Sequence, residues 1–469
     1  MLFRSGNIAY LFLDEWIHAD GEVDYIECMR KAFRTYPIEL ASCEDLLDPK
    51  LEFEFFNDCK THFEHIKEVV TDTFLAPGYH LNKEDAVLEP SYVCEALGLQ
   101  GRLDYMQRDM SSFIEMKSGK ADEYIIKGKI EPKENHKVQM LLYLAVLEYS
   151  MGINHRKVHP YLLYTRYPLL YPARPSWALV RRAINLRNLI VAGEHAVQLQ
   201  NSSAYTFEVL SEITPFVLNE NHLRGMFWER YLAPSISAFG NHFNALSQLE
   251  QSYYLTLYNF IVKEQYISKS GEMEYDGRAG AASLWLATLE EKREAGEILY
   301  DLTIKENRAA DAHKATVTFT IPRYEEEFLP NFRVGDVVLF YERNKTEDVA
   351  TNKMVFKGSI AAINSEEIAV RIRASQQNPS VLPQESLYAV EHDSMDTSFK
   401  SMFQSLTLFA EANKDRRDLL LAQREPLFDT SFDEQIAQAT NDFARITLKA
   451  LAAKDFFLLV GPPGTGKTS

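Results

Sequence analysis

The spacing of hydrophobic residues divides the chain into four segments, and the first, residues 1–215, mixes two periods. Val138, Leu141, Leu142 and Ala145 share one face of a predicted helix. Other helices are predicted at 6–17, 51–75 and 176–199, and strands at 86–94, 100–106, 112–118 and 158–165. This mixture predicts an α/β domain with a mixed central sheet flanked by helices.

The other three segments have simpler patterns. Residues 216–312 have a helical pattern and are predicted to be a helical connector. In 313–395 the period changes to two, in short runs bounded by turn residues, which is typical of a small antiparallel β-barrel. Residues 396–469 return to helix before the apolar run FFLLV, which we predict to be a strand.

The last nine residues, GPPGTGKTS, match the phosphate-binding pattern GxxxxGK[ST]. Gly461, Gly464 and Gly466 would let backbone amides surround phosphate oxygens, while Lys467 would reach the β and γ phosphates and Thr468 would bind Mg²⁺. The helix, partner strands and acidic metal-binding strand that complete such a domain do not follow in this sequence. We therefore expect a truncated P-loop motor domain, with ATP used only by a longer chain.

Composition narrows the function classes. A net charge of −17 opposes binding of nucleic acid through bulk charge, although a local basic channel is compatible with it. No apolar stretch predicts a membrane span or a membrane partner, so a cytoplasmic location is expected. The four cysteines form no CxxC pair and are expected to be reduced and structural.

The stretch GRLDYMQRDMSSFIEMKSGK has the most specific candidate chemistry. Side chains alternate along a strand, so Glu115 and Lys117 project together, and a hairpin would bring Asp104 beside Glu115. Two adjacent carboxylates repel unless a cation lies between them, and oxygen ligands favour Mg²⁺ or Mn²⁺. Lys117 could then orient a metal-bound water. An exposed hairpin with a Glu/Lys pair is the alternative.

Two neighbouring features favour the active-site interpretation. His136, Gln139 and Tyr143 lie on one face of the predicted helix, which suits contact with a phosphate backbone, although a solvated helix surface remains an alternative. Glu89, in a strand just upstream, could add a third carboxylate, or it could be an ordinary surface residue.

Three motifs, GLQGRLD, IEMKSGK and HKVQMLLY, occur in this order. In this they resemble the PD-(D/E)XK nucleases of the RecB type, as in the flap-trimming replication nuclease-helicases. The resemblance implies that Asp104 and Glu115 are metal ligands, Lys117 is the catalytic lysine, and Gln139 and Tyr143 contact the DNA strand.

The resemblance extends to later segments. Glu89 falls where the family often has an extra acid, RVGDVVLF resembles the opening of the barrel inserted in superfamily 1B helicases, and ALAAKDFFLLVGPPGTGKTS resembles the start of their first motor domain. The sequence departs from the family at the first helix, where Tyr10 replaces a metal-binding histidine. A phenol is a poor Mg²⁺ ligand, so the number of metals is open.

Two other departures concern cofactors. All four cysteines precede Asp104, so an iron–sulfur cluster is not expected. Phe443 occupies the position of the glutamine that reads adenine, with Gln435 and Gln438 one to two turns earlier, so no adenine contact is assigned.

The predicted function is a divalent-metal-dependent DNA nuclease that hydrolyses phosphodiesters of single-stranded or flap DNA, as the N-terminal part of a nuclease-helicase. One alternative is a catalytically dead nuclease fold that serves as a DNA-binding scaffold for an ATP-driven helicase. Another is that nucleotide hydrolysis is the main activity. Cleavage polarity, cleavage of RNA, oligomeric state and pathway are left open by the sequence.

Two weaker patterns are expected to be structural. In YLLYTRYPLLYPARP, only Arg166, Tyr167 and Arg174 remain as surface candidates for stacking with single-stranded DNA, because YLLYT is predicted to be a core strand. The histidines His62, His65 and His80 are expected to lie on the surface rather than to form a metal cluster.

Overall fold

The computed structural model describes residues 2–124, 129–173, 176–219, 222–271, 282–311, 314–324, 328–393 and 397–462. The chain divides into two compact units. The first combines Met1–Gly193 with Tyr266–Met395, and the second combines Glu194–Gln265 with Asp396–Ser469. None of the described helices is both long enough and apolar enough to cross a membrane.

The first part of unit one is an α/β layer structure. Its helices are α1 (Leu2–His18), α2 (Tyr25–Thr35), α3 (Pro37–Ala41), α4 (Pro49–Glu68), α5 (Glu134–Met151) and α6 (Trp177–Gln200). Its strands are β1 (Ala86–Leu88), β2 (Ser91–Cys94), β3 (Leu99–Arg102), β4 (Tyr105–Gln107), β5 (Ser112–Lys117), β6 (Asp122–Tyr124), β7 (Lys129–Glu131), β8 (His159–Tyr164) and β9 (Leu169–Pro172). The predicted helices in this part are confirmed, with 51–75 formed by α4 and a π-helical turn, Val69–Thr73.

The central sheet has the strand order β1-β4-β5-β8-β9. It is mixed, because β5 and β8 are parallel while the other neighbours are antiparallel. Ile114 and Met116 pack on one side with α1 and α4, and Phe113 packs on the other with α5. The predicted alternation of β5 is therefore confirmed, and it directs Glu115 and Lys117 toward α5.

Two strands that were predicted as continuous are each interrupted. At 86–94 the chain turns at Glu89, whose φ is 49°, and Pro90 has no N–H to donate. At 100–106 the break falls between β3 and β4, at Leu103 and Asp104. As a result, β1 and β4 pair in the central sheet while β2 and β3 form a separate two-stranded sheet. The Glu89 N–H donates to the Asp104 carbonyl (3.2 Å), so both breaks lie together.

The middle of the chain contains helices and then the barrel. The helices are α7 (Ser203–Ser211), α8 (Ala233–Asn244), α9 (Gln248–Ser270), α10 (Ser283–Leu286) and α11 (Leu289–Glu294). The barrel strands are β10 (Ile298–Arg308), β11 (Thr316–Thr320), β12 (Val337–Glu342), β13 (Phe356–Ile363), β14 (Glu367–Ile372) and β15 (Leu387–His392). They close in the order β10-β11-β14-β13-β12-β15, so the prediction of a closed antiparallel barrel is confirmed.

Strand β10 lies inside the stretch 216–312 that was predicted to be helical, and that prediction is wrong for 298–308. The register shifts between Leu299 and Leu302, and Asp301 has a φ of 53°. This irregularity puts two buried leucines three residues apart, both on the core side. A spacing of three imitates the period of a helix.

The barrel contacts the sheet region of unit one directly beside the Glu89 turn. Ser91 and Val355 form an isolated antiparallel bridge. The Gln376 side chain accepts a hydrogen bond from the Leu88 N–H (3.3 Å) and donates one to the Leu88 carbonyl (2.7 Å). Gln376 is buried, so these bonds are shielded from water.

The second unit is helical in its described part. It ends with α12 (Thr397–Glu411), α13 (Lys414–Leu420), α14 (Asp433–Gln438) and α15 (Asp442–Ala452). Phe243, Tyr254, Leu406 and Phe409 form part of its core. The run FFLLV at 456–460 is not a strand, contrary to our prediction, because no described strand pairs with it; Val460 is 94% exposed.

Candidate active site

The two predicted carboxylate ligands meet across neighbouring strands. Tyr105 lies opposite Ile114 in the antiparallel pair β4–β5, so Asp104 precedes β4 at the position facing Glu115. Asp104 Oδ2 accepts the N–H of Met116 (2.6 Å). Both carboxylates are buried, with Asp104 7% and Glu115 2% exposed. This burial excludes the alternative of an exposed hairpin with a Glu/Lys pair.

Lys117 and Gln139 form a closed set of hydrogen bonds with Glu115. Glu115 Oε1 accepts from Lys117 Nζ (2.5 Å) and from Gln139 Nε2 (2.7 Å). Gln139 Oε1 accepts from Lys117 Nζ (3.0 Å). The strand β5 and the helix α5 thus contribute to one polar cluster, which we call the candidate catalytic cluster: Asp104, Glu115, Lys117 and Gln139.

Tyr143 extends this cluster toward β3. Its hydroxyl accepts from Gln139 Nε2 (3.1 Å) and donates to the Arg102 carbonyl (2.8 Å). The ring lies directly over Gly101, where an added Cβ would approach Tyr143 Cε1 to 2.6 Å. A glycine at this position therefore allows the ring to approach β3 closely.

Burial and mutual repulsion disfavour two negative charges here. Burial, together with the Glu115 charge, raises the pKa of Asp104 well above its usual range despite the Met116 N–H. Burial also raises the pKa of Glu115, although Lys117 opposes the shift. Glu115 Oε2 is buried with no hydrogen-bond partner. A cation at this position would relieve both conditions.

The donor set fits a hard divalent cation with few protein ligands. Within the described ranges, no group of three or more His, Cys, Asp or Glu side chains is arranged to hold a metal ion. Mg²⁺ is commonly bound by one or two carboxylates, with waters and substrate phosphates as the other ligands. Asp104 and Glu115, with the unpartnered Oε2 of Glu115, provide such a pair.

Two residues predicted for the site have other partners. Glu89 lies at the edge, where its Oε2 accepts from Arg102 Nη1 (2.7 Å). His136 Nδ1 lies 2.6 Å from the Tyr164 hydroxyl, and the two rings are in contact. The role of Glu89 as a metal ligand remains a prediction, as does the role of His136 as a DNA contact.

The first helix adds two groups at the site. The Tyr10 hydroxyl donates to the Met116 carbonyl (3.4 Å), and burial, followed by the charges of Asp104 and Glu115, raises its pKa so that it remains a neutral phenol. Asp14, one turn later on α1, has a pKa raised well above its usual range by burial and by Glu89. Asp14 was not predicted from the sequence, although it lies four residues after Tyr10 and therefore on the same face of α1.

The remaining predicted residues lie elsewhere. Gly461 is described, but the other proposed nucleotide-binding residues lie outside the described residues: Gly464, Gly466, Lys467 and Thr468. Of the candidates for base stacking, Arg166 is paired with Asp58 (2.6 Å) and Tyr167 packs against the α5 core, while Arg174 lies outside the described residues. These placements do not favour a stacking platform.

The prediction of surface histidines is wrong for His62. It is fully buried on α4, because it lies on the side of the helix that also contains Cys59, Phe63 and Ile66. His65 is half-buried and its Nδ1 lies 3.0 Å from the Thr165 carbonyl, while His80 is exposed. All four cysteines are free and buried.

Comparisons with known proteins find relatives at modest identity. No family model matches the chain. It is 24% identical to "DNA replication ATP-dependent helicase/nuclease DNA2" of Gallus gallus over 441 residues, covering 83% of this chain and 40% of that protein. It is 31% identical to "DNA replication ATP-dependent helicase/nuclease JHS1" of Arabidopsis thaliana over 155 residues, covering 29% of this chain and 11% of that protein.

A third relative has a different name. The chain is 24% identical to "DNA-binding protein SMUBP-2" of Mus musculus over 217 residues, covering 42% of this chain and 20% of that protein. The chain thus spans 40% or less of the length of these relatives. It is a homologue, at modest identity, of the DNA replication ATP-dependent helicase/nucleases.

Proposed function

We propose that this chain is a divalent-metal-dependent DNA nuclease that hydrolyses single-stranded or flap DNA. The observation that supports this most is the candidate catalytic cluster, in which two buried carboxylates face each other and a lysine bonds to one of them. Two adjacent carboxyl groups whose pKa values are both raised by burial are typical of a catalytic site. The names of the relatives agree with a DNA-processing role.

The chemistry is divided between the bound ion and the residues around it. Asp104 and Glu115 would hold Mg²⁺ or Mn²⁺, which would polarise the scissile phosphate and acidify a water. Lys117 would orient the attacking water and offset charge that develops on the phosphate. Gln139 fixes Lys117 and Glu115 relative to each other through its amide, and Tyr143 fixes Gln139.

A cleavage assay tests this proposal. The full chain would be incubated with Mg²⁺ or Mn²⁺ and labelled 5′-flap, 3′-flap and blunt DNA. We expect cleavage of the flap substrates, abolished by EDTA and by Glu115→Ala. Glu64→Ala, which removes an exposed glutamate of α4, is the matched control and should leave cleavage unchanged. Equal cleavage by the Glu115→Ala protein would contradict the proposal.

The second candidate is a nuclease fold that binds DNA without cutting it and serves as a scaffold for a helicase. It is favoured by Tyr10 at the position of a metal-binding histidine and by the small number of described ligands. DNA binding by the wild-type protein, with no product in either metal at any substrate tested, would support this candidate over hydrolysis.

ATP belongs to a separate proposal. The motif that begins at Gly461 would bind nucleotide phosphates in a longer chain, and such a motor would deliver one DNA strand to the candidate catalytic cluster. ATP turnover measured with residues 1–469 should be absent. Turnover that a Lys467→Ala variant lost would show instead that this chain suffices.

A further inference from the structure

An open groove of about 430 Å³ separates α1 from the barrel within unit one. On the side away from the barrel its lining includes Tyr10, Asp14, Lys31 and Glu89. On the barrel side it is lined by Arg371 and Arg373, with small and apolar residues between and beside them. The groove thus connects the edge of the candidate active site to a basic part of the barrel.

The alternation of β14 directs both arginines into this groove. Val370 and Ile372 are buried in the barrel core, 0% and 5% exposed. Arg371 and the following Arg373 are exposed on the opposite side of the strand. Arg371 lies opposite Ser359 of β13, which also lines the groove.

A second pocket continues the same surface. It shares Glu89 and Arg373 with the groove and adds Arg102 and Lys357. Lys357 is held by Asp393 (3.0 Å) and by Gln100 of β3 (2.9 Å), so it joins the barrel to the sheet region. Arg102 is 48% exposed in its side chain and bonded to Glu89. Arg371, Arg373 and Arg102 therefore border the acidic edge of the site.

Charge identifies the kind of partner. The chain has a net charge of −17, so a polyanion would be repelled by most of its surface and attracted only where cations are concentrated. Guanidinium groups bind phosphates through charge-assisted, often bidentate, hydrogen bonds. Contacts of this kind fix the position of a nucleic-acid strand without reading its sequence.

We propose that Arg371 and Arg373 of the barrel bind the sugar-phosphate backbone of the DNA strand that the candidate catalytic cluster cleaves. This inference rests on the proposed function. It makes the barrel a part of the substrate-binding surface, in addition to any role in a helicase. Because phosphates are common to every sequence, the contact would raise affinity for single-stranded DNA uniformly.

The test measures binding separately from cleavage. Fluorescence anisotropy of labelled oligo-dT and of a mixed-sequence strand would be recorded in EDTA with wild type and with the double variant Arg371→Ala/Arg373→Ala. We expect affinity to fall at least about tenfold for both strands, and the slope of log K against log salt to fall by about 1 to 2. The variant Arg371→Lys/Arg373→Lys keeps both charges and should retain most of the binding.

Lys305→Ala is the control that removes a barrel charge outside both pockets. This lysine is an exposed barrel residue paired with Glu367, and it lines neither pocket. If the double alanine variant binds DNA as tightly as the Lys305→Ala protein, the inference is overturned. Thermal melting of each variant would verify that the barrel remains folded.

A cleavage measurement distinguishes failure of this inference from failure of the proposed function. The p-nitrophenyl ester of thymidine 5′-monophosphate has a single phosphodiester and no further backbone phosphate for the arginines to bind. Its hydrolysis should be unchanged in the double variant, while KM for a long strand should rise. A wild-type protein that cleaves nothing would refute the nuclease proposal, and the anisotropy arm would still decide whether the arginines bind DNA.

Discussion

Lys117 Nζ lies 2.5 Å from Oε1 of Glu115, two residues earlier on the same strand. Gln139 donates to that same oxygen, so Oε1 is fully occupied inside the protein. Oε2, by contrast, is buried with no hydrogen-bond partner. The two oxygens of this carboxylate therefore have different environments: Oε1 bonds to the lysine and to Gln139, and Oε2 has no hydrogen-bond partner.

Replacing Lys117 with alanine should reduce cleavage by about a hundredfold or more, because the variant lacks the group that orients water and offsets charge on the phosphate. Binding of DNA in EDTA should change far less. The measurement is the initial rate on a flap substrate in Mg²⁺. Lys120→Ala, which removes an exposed lysine three residues later, is the control. Cleavage that persists in the Lys117→Ala protein would contradict our assignment.

Gly101→Ala should impair the site without touching any polar group. The new Cβ would lie 2.6 Å from Tyr143 Cε1, so the ring must move and its hydrogen bonds to Gln139 and Arg102 must lengthen. We expect a drop in kcat of about tenfold to a hundredfold. Gly119→Ala is the matched control, since nothing lies within 4 Å of its Cβ position. Equal activity of both variants would show that the position of Tyr143 does not matter.

Tyr10→His should strengthen metal binding. The phenol is buried and neutral, while an imidazole at the same position could become a third ligand beside Asp104 and Glu115. We expect the Mn²⁺ concentration for half-maximal cleavage to fall by about tenfold, which corresponds to about 1.4 kcal/mol. Tyr10→Phe, which leaves the site without a new ligand, should show no such fall. A Tyr10→His protein that needs as much metal as wild type would place this side chain outside the metal site.

In the metal-free protein, the contribution of Asp104 to stability should fall as pH rises. Folding raises the pKa of Asp104 above its unfolded-state pKa of about 4. At any pH between these two pKa values, the folded protein binds more protons than the unfolded protein does. The free energy of unfolding must then decrease with pH in this window. Asp104→Asn should reduce this dependence, as measured by Tm from about pH 5 to about pH 8.

Saturating Mg²⁺ provides the complementary measurement. At a hundred times its Kd it should raise the stability of wild type by about 2.7 kcal/mol, and it should raise that of the Asp104→Asn protein much less. A Tm that responds to Mg²⁺ equally in both proteins would indicate that the ion binds elsewhere.

The second unit should lose stability in acid through Glu250. Burial alone would raise the pKa of this carboxyl, but hydrogen bonds from Arg417 (2.8 Å) and from the Ser247 N–H (2.7 Å) lower it to about 2. The stability that Glu250 contributes is present above its unfolded-state pKa of about 4.3. It is lost as the pH falls toward the pKa of Glu250 in the folded state. Arg417→Met should cost about 3 kcal/mol at neutral pH, measured by urea unfolding. Arg416→Met is the control. Equal stability of the two variants would refute the role of this pair.

The placement of the candidate site residues was largely predictable from sequence because it depends on local periods. The period of two in FIEMK fixes which face Glu115 and Lys117 share, and the i+4 spacing of Gln139 and Tyr143 fixes a helical face. The sequence does not show which hydrogen-bond or ion-pair partner each polar side chain of the site has. Glu89 pairs with Arg102 only because two strand breaks bring them together.

The errors have equally specific causes. Pro90 lies inside the stretch predicted as one strand, and a proline at such a position indicates an interruption. The sequence therefore contains the signal that separates β1 from β2. Strand β10 has a helix-like spacing in the sequence because its irregularity at Asp301 places buried leucines three residues apart. The proximity of Arg371 to the candidate site depends on how the barrel packs against the sheet region, and no local pattern contains that information.

The bonds between Gln376 and Leu88, and the bridge between Ser91 and Val355, hold the chain on both sides of Glu89. The acidic edge of the site is thus built by two sequence segments more than 260 residues apart. Shortening the protein to its first 193 residues would leave this corner unsupported, so activity lost from such a fragment would say little about which residues perform the chemistry.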